Sequence, residues 1–293
     1  MTNGTNVRTL EDLNAADVDA FCGMLAGVFE NAPWVATRTA HARPFATVEA
    51  LHDALMATVR AAPADARIAF LCGHPELSPQ AVTDPAMSAE SRSEQAGLGL
   101  RALGADLDRC DAAIRAYREK FGFPFILCVR RHTAPSVLRT LEMRLGNDVA
   151  GEQMTALQEV AHITRLRLAE RISGPGAPRV AGHLSTHVLD SAHGRPAAGV
   201  RVELLREGVP IVDDRTNEDG RVGAALIAGE PLRIGHYELR FHVGAYFAAA
   251  SAIFADPPLF DVIPIRFAVA EPEGRYHIPL LVGPWTYTTY RGS

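Results

Sequence analysis

The chain has 293 residues, 47% apolar and 22% charged, with a mean hydropathy of +0.01; this is the composition of an ordinary globular protein and excludes a fibrous or disordered chain. At roughly 100–200 residues per domain, the length predicts two domains, each able to bury a core. The net charge of −5, from 29 basic and 34 acidic residues, gives no cationic excess for a phosphate backbone, so nucleic acid is not an expected partner.

The chain opens without an apolar h-region, and Glu11 and Asp12 argue against a transit peptide, so the cytoplasm is the expected location. Apolar residues then recur at three- and four-residue intervals, first Val18, Phe21, Leu25, Val28 and Phe29, then Val48, Leu51, Leu55 and Val59. That spacing predicts helices. After the apolar run Ile68 to Cys72 comes Gly73-His-Pro-Glu-Leu77, which puts His74 at the end of a buried element where the chain turns at Pro75. His74 is then either a rigidly held working group or a capping histidine at the core edge. In Ser91-Arg-Ser-Glu-Gln95, Ser91 or Ser93 followed by Glu94 reads as a helix N-terminus. Glu94 is accordingly a capping carboxylate or a site residue.

A third helix carries Pro135 in its first turn, Val137, Leu138, Leu141 and Leu145 on one side, and Gly146 as its stop. A fourth runs from about Glu152 to Arg171. Projected along its axis, Arg167 falls at the centre of the stripe formed by Leu157, Val160, Ile163 and Thr164, with Glu159, His162 and Arg165 on the outer side. An inward arginine needs a buried carboxylate of the protein or an anionic ligand. The cysteines Cys22, Cys72, Cys110 and Cys128 lie in this half without a C-x-x-C pair, so neither a disulfide framework nor a metal site is expected.

Two glycines and two prolines in Ser173-Gly-Pro-Gly-Ala-Pro178 break the periodicity. The expected organisation is a helical domain over 1–171, a linker over 172–182 and a second domain over 183–293. Beyond the linker the pattern alternates: Val200, Val202 and Leu204, then Tyr237, Leu239, Phe241 and Val243, then Ile263, Ile265, Phe267 and Val269. Strands are predicted, with a turn at Asp219-Gly220 between the first two, and antiparallel hairpins packed as a sandwich. The stretch 243–255 is too short to cross a bilayer, so no membrane partner is expected. Alternation puts His187 on one face with Ser185 and Leu189, and His277 stands in Tyr276-His-Ile-Pro-Leu280. Taken alone, each reads as an ordinary strand histidine, at the surface or satisfied in the core. Trp285, Tyr287 and Tyr290 near the end of the chain predict a docked terminus. The end itself, Arg291-Gly-Ser293, is no peroxisomal address.

Several of these peptides carry a resemblance. Phe29-Glu-Asn-Ala-Pro-Trp34, Arg43-Pro-Phe45, Gly73-His-Pro-Glu-Leu77, Ser91-Arg-Ser-Glu-Gln95, Tyr117 with Lys120-Phe-Gly-Phe-Pro-Phe-Ile126, and the helix ending in Arg167 together resemble the OHCU decarboxylase family over residues 8–171. OHCU is 2-oxo-4-hydroxy-4-carboxy-5-ureidoimidazoline. The resemblance implies an all-α bundle that needs no cofactor and converts OHCU to (S)-allantoin. His74, Glu94 and Arg167 match the family's catalytic residues. Pro75, Ser91, Gln95 and the segment Phe123, Pro124, Phe125, Ile126 and Leu127 would contact the substrate, the segment through its backbone amides. Ile114 departs from the asparagine that the family often has there.

In the second half, Leu184-Ser-Thr-His-Val-Leu-Asp190, Asp219-Gly-Arg221, Tyr276-His-Ile-Pro-Leu-Leu281 and the terminal Tyr290-Arg-Gly-Ser293 resemble 5-hydroxyisourate hydrolase, the transthyretin-related enzyme, over residues 183–293. The resemblance implies an all-β sandwich of transthyretin type. His187 and His277 would activate water, Arg221 would face the developing oxyanion, and Tyr290 and Ser293 would close the pocket. Leu280-Leu-Val-Gly-Pro284 departs from the family's usual Leu-Leu-Leu-Ser. The two families imply consecutive reactions on small-molecule substrates, and self-association as a decarboxylase-type dimer, a transthyretin-type tetramer or both. The competing reading is a small-molecule carrier or scaffold with one or both sites inactive.

Overall fold

Helix-forming stretches with good caps account for the first half. The computed structural model describes residues 7–78, 87–250 and 256–292. Among these, nine α-helices occupy the first half: α1 Leu10–Ala15, α2 Val18–Met24, α3 Pro33–Thr39, α4 Val48–Arg60, α5 Ala64–Cys72, α6 Ala89–Leu98, α7 Leu107–Phe121, α8 Ala134–Arg144 and α9 Val149–Ala169. Thr9 and Asp12 form a capping box on α1, Thr47 caps α4 and Asp148 caps α9. The buried faces carry the expected apolar stripes, with Leu51, Leu55, Val59, Leu141 and Val160 in one core. No helix among the described residues is long and apolar enough to cross a membrane.

The chain divides into two compact units, Met1–Arg130 with Ala134–Val180, and Arg131–Thr133 with Ala181–Ser293. The glycine- and proline-rich stretch after α9 begins inside the first unit. Strands β1 (Arg8–Thr9) and β2 (Ile172–Ser173) pair in parallel, and the carbonyls of Pro175 and Gly176 accept from Val48 N (2.9 Å) and Glu49 N (3.2 Å). They thereby satisfy orphan donors at the start of α4. Gly176 has φ +61, and a Cβ there would lie 2.7 Å from Thr47 Cβ, so this close approach calls for glycine.

In the second unit the strands are β3 His183–Ser185, β4 Val188–Asp190, β5 Arg195–Pro196, β6 Arg201–Arg206, β7 Val209–Arg215, β8 Ile227–Ala228, β9 Gly235–His242, β10 Val262–Val269, β11 Arg275–His277, β12 Leu280–Gly283 and β13 Thr286–Thr289. They form sheets ordered β10-β9-β6-β7, β13-β12-β4-β5 and β11-β3-β8. Val188, Val202, Leu204, Leu239, Phe241, Ile263 and Leu280 fill the core of this sandwich. One short helix, α10 (Val243–Ala250), follows β9.

Two details differ from the sequence reading. The β6–β7 hairpin turns at Glu207 and Gly208, both with positive φ, so the Asp219-Gly220 turn follows β7 and does not join β6 to β9. The pairs β3–β11 and β4–β12 are parallel, so the sandwich is not built from hairpins alone. Both parallel runs are interrupted at the same level, at Thr186–His187 and at Ile278–Pro279, where Thr186 Oγ1 donates to the Ile278 carbonyl at 2.6 Å. Of the two histidines singled out from the sequence, His187 lies in this break and His277 at its edge.

Candidate active sites

In the helical unit, His74 lies just beyond the C-terminus of α5. Its Nδ1 sits 3.1 Å from the Phe70 carbonyl, which can only accept, so Nδ1 carries the proton and Nε2 is the ring's acceptor. The ring is buried and meets Phe70 edge-on at 5.2 Å. Burial pushes the imidazole down to about 4, against the opposing pull of the Phe70 carbonyl and the Glu30 charge. His74 is therefore a neutral base at physiological pH.

Helix α6 faces it. Its N-cap is Ser88, whose side chain accepts from Ser91 N, so Ser91 is one turn inside the helix and is not its cap. Glu94 is likewise no capping carboxylate. It forks Arg167 of α9, with Nε donating to Oε1 at 3.0 Å and Nη2 to Oε2 at 2.7 Å. Arg167 also donates to Ser91 Oγ (3.0 Å), Glu30 Oε2 (3.2 Å) and the Gly27 carbonyl (3.3 Å). The inward arginine thus finds its partners in the protein, and all five of its N–H groups are engaged.

His74, Pro75, Ser91, Glu94, Gln95, Phe125, Ile126, Leu127 and Arg167 line one cavity with Val129 and Ile163. Its volume, about 40 Å³, is well below the roughly 300 Å³ at the low end of small-molecule sites. Gln95 donates Nε2 to the Glu76 carbonyl at 3.3 Å, while its buried Oε1 has no partner and is open to a ligand donor. Phe123 and Pro124 do not reach the cavity. Phe123 packs on Tyr117 and Phe121 in the core.

The backbone of this segment is also partly spoken for. Burial raises the Glu76 carboxyl, partly offset by nearby Arg118 and by a hydrogen bond from the Phe125 amide. Ile126 O accepts from Arg144 Nη1 at 2.8 Å, and Cys128 N donates to Glu159 at 2.9 Å, so Glu159 is an anchor and not an outer-face residue. Ile114 is buried in the core.

Sequence reasoning missed what Phe29-Glu-Asn-Ala-Pro-Trp34 does. Glu30 bonds Arg167, Asn31 Nδ2 donates to the Gly73 carbonyl at 2.9 Å beside His74, Pro33 opens α3, and Trp34 packs edge-on to Phe70 at 6.1 Å. This peptide scaffolds the site.

In the β unit, Leu184, Thr186 and Val188 point inward, while Ser185 and His187 are half-buried on the other face. The parallel register sets His277 beside Ser185, and their Nδ1 and Oγ hydrogen-bond at 3.0 Å. Arg221 bridges to His187 and is exposed. The Nε2 of His187 is buried without a hydrogen-bond partner. Desolvation lowers the His277 imidazole, and the charge of Arg221 and the neighbouring His187 and His183 lower it further.

Gly292 pairs with His277 through Gly292 N to His277 O at 2.8 Å, and a Cβ on it would lie 2.7 Å from His277 Cδ2. The terminal peptide is thus docked on the histidine. Arg291 also stacks over Tyr276 at 4.5 Å. Tyr290 is exposed, and Ser293 lies outside the described residues. Among the described residues no group of three His, Cys, Asp or Glu side chains is arranged to hold a metal ion.

These two sites coincide with two families. Residues 14–169 match the OHCU decarboxylase family and residues 184–292 the HIUase/Transthyretin family. The 5-hydroxyisourate hydrolase of Deinococcus radiodurans is 51% identical over 120 residues, 39% of this chain and all of that protein. The 2-oxo-4-hydroxy-4-carboxy-5-ureidoimidazoline decarboxylase of Halalkalicoccus jeotgali is 37% identical over 163 residues, 55% of this chain and 90% of that protein.

The chain belongs to both families, as a fusion of an OHCU decarboxylase domain with a 5-hydroxyisourate hydrolase domain. The chain is also similar to a solved structure of (S)-allantoin synthase. It is 32% identical, covers 98% of this chain and 100% of its own, and superposes with a TM-score of 0.52.

Proposed function

We propose that this chain converts 5-hydroxyisourate to (S)-allantoin in two steps, hydrolysis in the β unit and decarboxylation in the helical unit. In the first step a water polarised by a neutral histidine attacks the strained ring amide. The proton it loses is returned to the leaving nitrogen, the six-membered ring opens, and OHCU results. In this reading His187, with its unpartnered Nε2, and His277 carry that proton traffic, and Arg221 meets the charge that develops on the carbonyl oxygen.

In the second step the bond to the carboxyl carbon breaks and CO₂ leaves. The electron pair passes into the imine of the substrate's own ring, and a proton returns to carbon from one face only. His74 and Glu94 act as the proton-transfer pair, and Arg167 is the cation that the substrate carboxylate needs. The observation that carries the decarboxylase half is the His74 tautomer: Nδ1–H is held by the Phe70 carbonyl, and the ring lines the cavity with Glu94 and Arg167.

Self-association as a decarboxylase-type dimer, a transthyretin-type tetramer or both is part of this reading. It is supported by the exposed aromatic groups Trp285, Tyr287 and Tyr290. The cytoplasm as the place of reaction is supported by the four free cysteines.

The test is to generate 5-hydroxyisourate from urate with urate oxidase, add the protein, and follow absorbance and circular dichroism together. Accelerated loss of 5-hydroxyisourate followed by an optically active (S)-allantoin signal is the expected result. His74→Asn should then lose about 10²–10⁴-fold in the second step alone. Fast hydrolysis ending in racemic allantoin would refute the decarboxylase half, and no acceleration of either step would leave the carrier reading standing.

A further inference from the structure

Arg167 is held between two carboxylates of different character. The Glu30 side chain is 1% exposed and accepts four hydrogen bonds: from Ser88 N (3.1 Å), Ser88 Oγ (2.7 Å), Ser91 Oγ (2.8 Å) and Arg167 Nη1 (3.2 Å). Three of the four do not involve the arginine, so Glu30 stays in place whatever Arg167 does. Burial alone would raise its carboxyl, but the Ser88 and Ser91 hydrogen bonds and the Arg167 charge hold it below the usual carboxylate range. Its four donors favour the anion.

Glu94 differs on each count. Its side chain is 15% exposed, it borders the cavity, and both its oxygens are bonded to Arg167. Since every N–H of Arg167 is already engaged, an incoming carboxylate gains a place on the guanidinium only where an existing bond breaks. Of the two carboxylates on Arg167, Glu94 lines the cavity and Glu30 does not. Exchange there replaces one carboxylate by another, so neither the charge on the arginine's partners nor the number of its hydrogen bonds changes.

On the reading that the helical site decarboxylates OHCU, we propose that Glu30 is a positioning residue: it keeps Arg167 seated while Glu94 yields its fork to the substrate carboxylate. Through Ser88, the N-cap of α6, Glu30 also ties Arg167 to the helix that bears Ser91, Glu94 and Gln95. Glu94, once released, stands beside the reacting hydroxyl and ring nitrogens as His74's partner.

The experiment uses the full chain with Glu30→Gln and Glu30→Asp, measuring KM and kcat for OHCU made in situ, the hydrolase rate, and the folded fraction by near-ultraviolet circular dichroism. A glutamine places an NH₂ among four donors and cannot reproduce the cradle. Glu30→Gln is expected to raise KM for OHCU ten- to hundredfold, with the hydrolase rate within twofold of wild type. Glu30→Asp, which keeps the charge, should recover most of that loss.

Wild-type KM and kcat in Glu30→Gln would overturn the proposal. So would a fall in kcat that matches the loss of folded protein while KM stays put, which is what a purely structural residue would give. If the glutamine variant does not fold, Glu30→Asp decides: KM raised about threefold or more in folded protein supports positioning, and wild-type KM overturns it. A wild-type chain that fails to accelerate OHCU loss defeats the decarboxylase reading itself, and this result is distinct from any Glu30 outcome.

Discussion

The helical site and the β site solve the problem of keeping charge near a substrate in opposite ways. In the helical unit the two charges at the heart of the site are answered within the chain before any ligand arrives: Arg167 has all five donors engaged, and Glu30 accepts four bonds. In the β unit Arg221 is exposed and the Nε2 of His187 has no partner. The difference follows from burial. An uncompensated charge deep in a helical core costs several kcal/mol, whereas the exposed guanidinium of Arg221 is solvated by water. Arg167 must therefore exchange a partner in order to bind, and Arg221 need only displace water.

The strongest way to break this comparison is to remove internal compensation from the helical unit alone. Tyr117, Arg144 and Glu152 form a buried cluster in which Arg144 Nε donates to Glu152 at 2.8 Å and Asn147 Nδ2 donates to it at 2.7 Å. Arg144→Met keeps much of the volume but leaves the Glu152 carboxylate without its cation. It should destabilise the helical unit by about 3–5 kcal/mol, read as a lowered unfolding midpoint, with the β unit's hydrolase rate unchanged. A loss below about 1 kcal/mol would mean that the cluster is not compensated as described.

A smaller effect tests how the β site is assembled. Only a glycine lets the terminal peptide lie against the His277 ring, so Gly292→Ala should push the peptide off by an overpacking penalty of about 1–3 kcal/mol. About a tenfold loss of hydrolase rate with unaltered decarboxylation is expected. Wild-type hydrolysis in this variant would show that the docked end plays no part in the reaction.

Much of this was legible in the residues and some was not, for reasons that can be named. Helical and alternating periodicities located the long elements, and the inward position of Arg167 on α9 follows from its place among Leu157, Val160 and Thr164. Glu30 was invisible as a site residue, because its partners Ser88, Ser91 and Arg167 lie 58, 61 and 137 residues away and nothing local marks it as buried. Ser88, Ser91 and Ser93 are all plausible caps on propensity. Glu30 bonds Ser88 and Ser91 together, which puts the cap at Ser88 and turns Ser91 inward. Strand β7 escaped notice because Val-Pro-Ile-Val-Asp-Asp-Arg on a sheet edge has no alternation to read. In 123–127 the chain is irregular, so no period indicates which residues face the cavity and which, like Phe123, face the core.

The smallest effect concerns protons, and it sharpens the comparison because the two sites lower their histidines for different reasons. His74 is pushed to about 4 chiefly by burial. His277 is lowered first by desolvation and then by the charge of Arg221, with further lowering from its neighbours His187 and His183. Both must be neutral to accept a proton, so both activities should persist below the usual histidine range near 6.5. Arg221→Gln removes a positive charge beside His277, so the His277 imidazole becomes easier to protonate. With hydrolase rates normalised to their plateau, its acid limb should move to higher pH, while the decarboxylase limb stays where it is. Burial acts on His74 through folding as well. The unfolded chain takes up a proton near 6.5 and the folded chain only near 4, so the His74 contribution is fully present above about 6.5 and is lost progressively as pH falls toward 4. An Arg221→Gln hydrolase limb that fails to move, or moves to lower pH, would mean that the arginine does not set the protonation of His277 and that desolvation dominates in the β site as it does in the helical one.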